Sequence, residues 1–306
     1  MTSPTARIIH LGDLHFWRIP YNPVRYLNKR LLGVGNLVVG GRARKFRQEL
    51  MPKLAVRVSE LGCDWLLLSG DLSSTALPAE FQAARAMLEP LTPRIRVGVH
   101  AVPGNHDCYL GKPSEADEFA RHIGPALGGI RHVEARPLEN QALLIGINAT
   151  TNNGIGSHGS LSESHFTAIQ AGLETHRQLP RVIILCHFPQ EHPDGILHRE
   201  RGPQLLNGER LVRMLAEDGR PALWLHGHHH YRWIYGSPTA PNLVYLNGGA
   251  PALRRSGDLP DLGFHEIDLH AGFAVRTHRF NHGAQQWQTR QVELPNPGRH
   301  EELSAW

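Results

Sequence analysis

Short apolar runs recur along the chain, each ended by polar or glycine-containing residues: Ile8–Leu11, Trp65–Leu68, Val97–Val102, Leu143–Ile147, Val182–Leu185 and Leu223–Leu225. Near-continuous apolar runs of this length predict strands buried on both faces. Between several of them the period changes. Phe46, Leu50, Leu54, Val58 and Leu61 fall at spacings of four and three and form one stripe of a helix. Phe81, Arg85, Leu88 and Leu91 lie in a second helical stretch. Ser162 opens a third, with Phe166, Ile169 and Leu173 on one face, and a fourth runs from about Gly208 to Glu217. Strands alternating with helices predict an α/β architecture of sheets covered by helices. From Tyr231 onward the helical period stops. Residues 242–247, 263–269, 273–280 and 287–293 read as short strands joined by Gly, Pro, Asn and Asp. They predict a β-rich, antiparallel section over about 231–295 that completes a sheet rather than forming a separate unit. No internal repeat and no linker divides the chain, so residues 1–306 are expected to form a single domain.

Composition adds two points. A chain of 306 residues, 41% hydrophobic, can bury a sizeable core. The formal charge of +4 is unevenly placed: Arg18, Arg25, Lys29, Arg30, Arg42, Arg44, Lys45 and Arg47 lie between Trp17 and Gln48 with no acidic residue among them. Without those eight the charge would be −4. The basic character belongs to one segment, read as an insertion at about 17–45. Cys63, Cys108 and Cys186 are odd in number and match no zinc ribbon or CxxC spacing. A disulfide framework is not expected, and a reducing, cytoplasmic setting is. The N-terminal residues lack the apolar core of a signal peptide. No run of about 18 uncharged apolar residues predicts a membrane span.

The 21 histidines turn attention to spacing. Five apolar strands each lead directly into polar residues: Gly12-Asp13-Leu14-His15, Gly70-Asp71, Gly104-Asn105-His106-Asp107, His187, and Gly227-His228-His229-His230. Ligands in α/β sheets bind at the carboxyl ends of strands. The five ends are therefore expected to deliver Asp, Asn and His side chains to one edge. Carboxylates, imidazoles and an amide oxygen suit Mn, Fe, Zn or similar divalent ions, and the absence of a thiolate argues against a structural zinc site. Asp13 and His15, like His228 and His230, are one residue apart, which in extended backbone puts both side chains on one side. The glycines at 12, 70, 104 and 227 are expected to let the backbone turn sharply there.

In order, Asp13-x-His15, Gly70-Asp71, Gly104-Asn105-His106-Asp107, His187 and Gly227-His228-x-His230 resemble the five motifs of the calcineurin-like metallophosphoesterases. The resemblance implies a four-layer αββα sandwich of two mixed sheets flanked by helices. It implies two divalent metal ions, one held by Asp13, His15 and His230, the other by Asn105, His187 and His228, with Asp71 between them. A metal-bridging hydroxide would then attack phosphorus in line, and His106, not itself a ligand, would stabilise the phosphoryl group or protonate the leaving oxygen. The substrate implied is a small phosphodiester such as a cyclic nucleotide. Phosphomonoester cleavage, nuclease activity and nucleotide-lipid pyrophosphate hydrolysis remain alternatives within the family. A non-catalytic metal-binding scaffold is an alternative of another class. The sequence departs from the family pattern at Ser74, where many members carry an Asp that orients the catalytic His, and at Phe188, where many have a second His.

Other residues near the motifs carry plainer readings. His10, His100, His226 and His229 are expected to be core or supporting residues, and Asp107 to support its loop. The basic segment reads as an insertion packed through Leu27, Leu31, Leu32 and Leu37, as a lid meeting an anionic substrate, or, over Tyr26–Val39, as an amphipathic helix making weak peripheral contact with anionic lipid. Nucleic acid is a less favoured partner, because no basic groove interleaved with aromatic residues is evident. Asn148–His158 and Arg254 with Arg255 are candidates for substrate contact. Oligomeric state is not encoded in these patterns.

Overall fold

A computed structural model of the chain describes residues 6–18, 45–109, 113–150, 157–193, 204–251, 253–254, 259–270 and 272–304. Most of the basic segment, including the expected helix over 26–39, lies outside the described residues, as do residues 151–156 and Arg255.

The apolar runs form the parallel strands of two sheets, but the run over 97–102 lies on an edge of the first sheet, where Val97 is exposed rather than buried on both faces. Strands β1 (Arg7–Leu11), β2 (Cys63–Leu68) and β3 (Ile95–Ala101) are parallel neighbours in the first. In the second, β5 (Ala142–Ile147), β7 (Val182–Cys186) and β9 (Ala222–His226) are parallel, with β4 (Val133–Leu138) antiparallel at one edge. A short parallel pair, β6 (Gly159–Ser160) and β8 (Leu205–Leu206), stands apart from both.

The β-rich C-terminal section does not complete one sheet, as the sequence suggested, but divides between the two. Strands β12 (Gly263–Asp268), β13 (Ala274–Asn281) and β14 (Gln286–Val292) extend the first sheet antiparallel from β1. Strand β11 (Leu243–Gly248) pairs parallel with β9, and β10 (Arg232–Gly236) and β15 (His300–Glu302) follow antiparallel. The orders are β14-β13-β12-β1-β2-β3 and β15-β10-β11-β9-β7-β5-β4. Which sheet a strand joins is decided by side chains far apart in sequence, and its own pattern carries no sign of that choice.

Helices α1 (Met51–Leu61), α2 (Pro78–Leu88), α3 (Pro113–His122) and α4 (Gly124–Leu127) cover the first sheet, and α5 (Glu163–Thr175) and α6 (Gly208–Asp218) the second. The middle layer, with Ile8, Trp65 and Leu67 facing Leu144, Ile183, Leu185, Leu223 and Leu225, joins the sheets face to face. This is the four-layer αββα sandwich. Phe46 does not belong to α1, although it continues the spacing of four. Pro52 sits in the first turn of that helix, a 3-10 turn spans Gln48–Leu50, and Phe46 instead bridges Leu253. Among the described residues, no helix is long and apolar enough to cross a membrane.

Two buried histidines outside the candidate donor groups, His100 and His265, should make the fold acid-sensitive. Burial pushes His100, stacked on Trp65, down to about 4 and His265 down to about 3. A base whose folded pKa lies below its unfolded value of about 6.5 favours the folded state fully above that value and progressively less as pH falls. Each should cost about 2 kcal/mol between pH 7 and pH 5. Urea unfolding at the two pH values checks this, and His100→Phe, which keeps a ring against Trp65, should lose about 2 kcal/mol less on acidification than wild type.

Candidate metal centre

The carboxyl ends of β1, β2, β3, β7 and β9 meet where the two sheets abut, and all eight predicted site residues gather there. Main-chain bonds tie the ends together. Asp13 N–H donates to Gly70 O at 3.0 Å, His15 N–H to Asp71 O at 2.9 Å, and Gly227 N–H to His187 O at 3.2 Å. Asp13, His15, Asp71, His187 and His228 are buried, while Asn105, His106 and His230 are partly open.

The side chains fall into two groups around Asp71. On one side, ligand atoms of Asp13, His15, Asp71 and His230 all lie within 4.8 Å of one another, with the Nε2 atoms of His15 and His230 2.9 Å apart. On the other, Asn105 Oδ1 lies 3.1 Å from His187 Nε2 and 3.0 Å from His228 Nδ1. Asp71 Oδ2 faces both groups, 3.6 Å from His15 Nε2 and 3.5 Å from His187 Nε2. His187 Nδ1 donates to Ser69 O at 2.8 Å, which leaves the lone pair on Nε2, pointing into the cluster.

The residues present fit divalent cations. Asp13 Oδ2 is buried and has no hydrogen-bond partner among the described residues. Burial first, and the Asp71 charge second, push the Asp13 carboxyl well above the usual carboxylate range. Burial also pushes His187 down to about 4 and His228 well below its ordinary value, so both imidazoles stay neutral, the form that binds metal. Electron-rich oxygen and nitrogen atoms held this close repel one another, and a cation between them removes the repulsion.

The backbone achieves this convergence differently from the extended segments that the one-residue spacing suggested. Asp13, His15, Asp71, His228 and His230 all adopt positive φ, between 47° and 74°. L-residues rarely occupy this region, and strain of this kind collects at functional sites. Of the four motif glycines, only Gly70 has positive φ, 94°. Gly104 is required by close approach: a Cβ there would lie 2.2 Å from Asp71 Oδ1. The glycines chiefly make room, while the candidate ligands themselves turn the chain.

His106 is held without the carboxylate missing at position 74. Its Nδ1 donates to the main-chain oxygen of Ser74 at 2.8 Å, and its N–H donates to Asp71 Oδ1 at 2.8 Å. The Ser74 hydroxyl points elsewhere, donating to His15 O at 3.1 Å. Ser74→Ala should therefore leave turnover within about twofold of wild type while costing about 1 kcal/mol of stability. Steady-state kinetics beside denaturant unfolding separate the two effects, and a hundredfold loss of turnover would overturn the main-chain account.

The neighbours have supporting contacts. Asp107 accepts from the N–H groups of Leu72, Ser73 and Gly104 and from the Ser73 hydroxyl, tying the β2 and β3 loops together. His10 meets Ser69 Oγ, and His226 donates to Gly227 O. Phe188 is buried, with its ring 4.8 Å from that of His187 and 5.1 Å from that of His228, an apolar wall behind both. Cys186 is buried and free, its thiol pushed up to about 12, which disfavours a thiolate. Two contacts have no motif to announce them. Phe46 lies 4.6 Å, ring to ring, from His15, and Gln204 Oε1 lies 2.6 Å from His228 Nε2. Arg254 N–H donates to Lys45 O at 2.7 Å, so the chain re-enters the described structure beside His15.

The sequence matches the calcineurin-like phosphoesterases over residues 6–232. The chain belongs to that family. The five strand ends all lie inside the matched region. No curated protein sequence matches the chain. Among solved structures it is similar to purple acid phosphatase PPD1 from yellow lupin (Lupinus luteus) seeds, at 13% identity and a TM-score of 0.61, covering 94% of this chain and 54% of that one. Lower scores relate it to a 5′-nucleotidase from Candida albicans (12% identity, TM-score 0.41, 90% and 52% covered). NAD nucleotidase from Haemophilus influenzae stands similarly (11%, 0.44, 94% and 54%). At such identities the likeness to the lupin enzyme shows a shared fold alone. The chain spans about half the length of these solved structures.

Proposed function

We propose that the chain is a hydrolase of phosphate esters that works with two divalent metal ions, and that its substrate is a small phosphodiester, of which a cyclic nucleotide is one example. The observation that carries this reading is the convergence of two groups of oxygen and nitrogen donors on the two sides of one carboxylate, Asp71. Asp13, His15 and His230 would hold one ion, Asn105, His187 and His228 the other, and Asp71 both. Ions bound there supply Lewis acidity at the phosphoryl oxygens and lower the pKa of water toward neutrality.

The chain's own residues do the rest. Asn105, partly open between two histidines, fixes one group of donors on the solvent side. His106 keeps Nδ1–H on the Ser74 carbonyl, so Nε2 is the nitrogen that gains and loses a proton. Protonated there, it gives that proton to the leaving oxygen, a role worth about 10²- to 10⁴-fold in rate. Buried Phe188 excludes water behind the two histidines of the second group. The diester preference follows the family resemblance, and monoester cleavage is its direct competitor.

Hydrolysis of bis-p-nitrophenyl phosphate and p-nitrophenyl phosphate tests the reading, using protein stripped of metal and resupplied with Mn, Fe, Zn or Mg, beside His106→Ala. Metal-dependent hydrolysis with about two ions per chain supports it, and the ratio of the two rates decides between diester and monoester. A chain that binds no metal overturns it.

A further inference from the structure

His228 offers its two ring nitrogens to different partners. Nδ1 faces Asn105 Oδ1 at 3.0 Å, inside the second donor group, and Nε2 lies 2.6 Å from Gln204 Oε1. His228 and Gln204 are both buried. A neutral imidazole carries one N–H, and both contacts meet carboxamide oxygens, which only accept. The shorter, 2.6 Å to Gln204 against 3.0 Å to Asn105, takes the proton on Nε2, which leaves the Nδ1 lone pair beside Asn105 Oδ1, where the dinuclear reading places an ion.

Gln204 is itself held in place. It immediately precedes β8, and its main-chain oxygen accepts from Gly159 N–H at 2.9 Å, in line with the β6–β8 pairing. Gly159 sits so close to Phe188 that a Cβ would lie 2.4 Å from the ring, and Phe188 in turn walls His228. The short sheet, the Phe188 ring and Gln204 thus frame one imidazole.

We propose that Gln204 is a positioning residue for metal binding: it holds His228 as the Nε2–H tautomer, so that Nδ1 presents its lone pair to the ion shared with Asn105 and His187. This rests on the dinuclear reading of the site. Partners that fix the tautomer of a ligating histidine contribute about 10- to 100-fold in metal affinity.

The test uses the full chain stripped of metal. Co²⁺ is titrated in by calorimetry and followed by its visible absorption, for wild type, Gln204→Leu, Gln204→Asn and Gln204→Glu. The ring nitrogens of His228 are followed in the metal-free proteins by ¹⁵N NMR. In Gln204→Leu one of the two binding events should weaken about 10- to 100-fold with the other unchanged. The NMR signature of His228 should move away from the pure Nε2–H form. Gln204→Asn, which withdraws the acceptor by one methylene, should show the same selective loss and serves if the leucine variant does not fold. Gln204→Glu, which keeps an acceptor, should bind both ions. Two wild-type-like binding events and an unchanged His228 signature in Gln204→Leu or Gln204→Asn would overturn the proposal and leave the dinuclear reading intact. Fewer than two ions bound by wild type would overturn both.

Discussion

Asp71→Asn is expected to lower hydrolysis by about 10³-fold or more, equivalent to at least about 4 kcal/mol of transition-state stabilisation. Asn keeps the shape of the side chain and an oxygen to accept from His106 N–H, a bond of 2.8 Å in the native protein. What it removes is the negative charge on the atom facing both donor groups, 3.6 Å from His15 Nε2 and 3.5 Å from His187 Nε2. A neutral amide cannot hold two cations close together, so the metal content should fall from two ions to one or none. Stability should move the other way. The Asp71 charge helps to push the Asp13 carboxyl well above the usual carboxylate range. A carboxyl with a raised folded pKa loses stabilising power as pH climbs from the unfolded value toward the folded one. Relieving that repulsion should make metal-free Asp71→Asn more stable at pH 8 than metal-free wild type. Ester hydrolysis, metal analysis and urea unfolding measure the three quantities. Retention of wild-type hydrolysis would remove Asp71 from the centre of the mechanism.

Arg232→Ala should be the most damaging substitution away from the candidate ligands, at about 3–5 kcal/mol. The guanidinium is almost wholly buried, with 1% exposure. It binds Asp261 through two nitrogens, at 2.6 and 3.1 Å, and also donates to Thr277 Oγ1 and to His278 O. Arg232 belongs to β10 of the second sheet, whereas Thr277 and His278 belong to β13 of the first, so one side chain fastens the sheets together. The pocket is fitted to it: a Cβ at Gly249 or Gly263 would lie 2.5 Å from an Arg232 atom. Truncation leaves a cavity and an Asp261 charge with its bidentate partner removed. Replacing the pair together, Arg232→Met with Asp261→Leu, should recover most of the loss, because the buried guanidinium and its carboxylate are removed together and Arg279, whose Nε lies 3.9 Å from Asp261, is partly open to water. Guanidinium unfolding of the two variants gives the comparison, and a double variant as unstable as the single one would show that the hydrogen bonds to β13 matter more than the ion pair.

The sequence by itself determined the strand ends at which the candidate residues stand. A parallel strand buried on both faces must be a near-continuous apolar run, and the polar residues that follow its carboxyl end are contiguous with it. Asp13, Asp71, Asn105, His187 and His228 could therefore be singled out from local pattern alone, and all of them lie within residues 6–232, the stretch that matches the family. The tertiary structure decided what spacing does not encode. Phe46 continues a helical stripe in sequence, yet it packs on His15, because Pro52 delays the helix and Leu253, about two hundred residues away, supplies its partner. The C-terminal strands divide between two sheets through contacts among distant side chains. The candidate ligands converge through left-handed backbone rather than extended alternation, since only a sharp turn at each strand end brings two sheets' side chains to one point. Ser74 meets His106 through its carbonyl, an atom every residue has, and Gln204 meets His228 from outside any motif. Local periodicity records burial. Partners brought together by folding across the chain leave no such trace, because any residue with the right atom at the right place can serve.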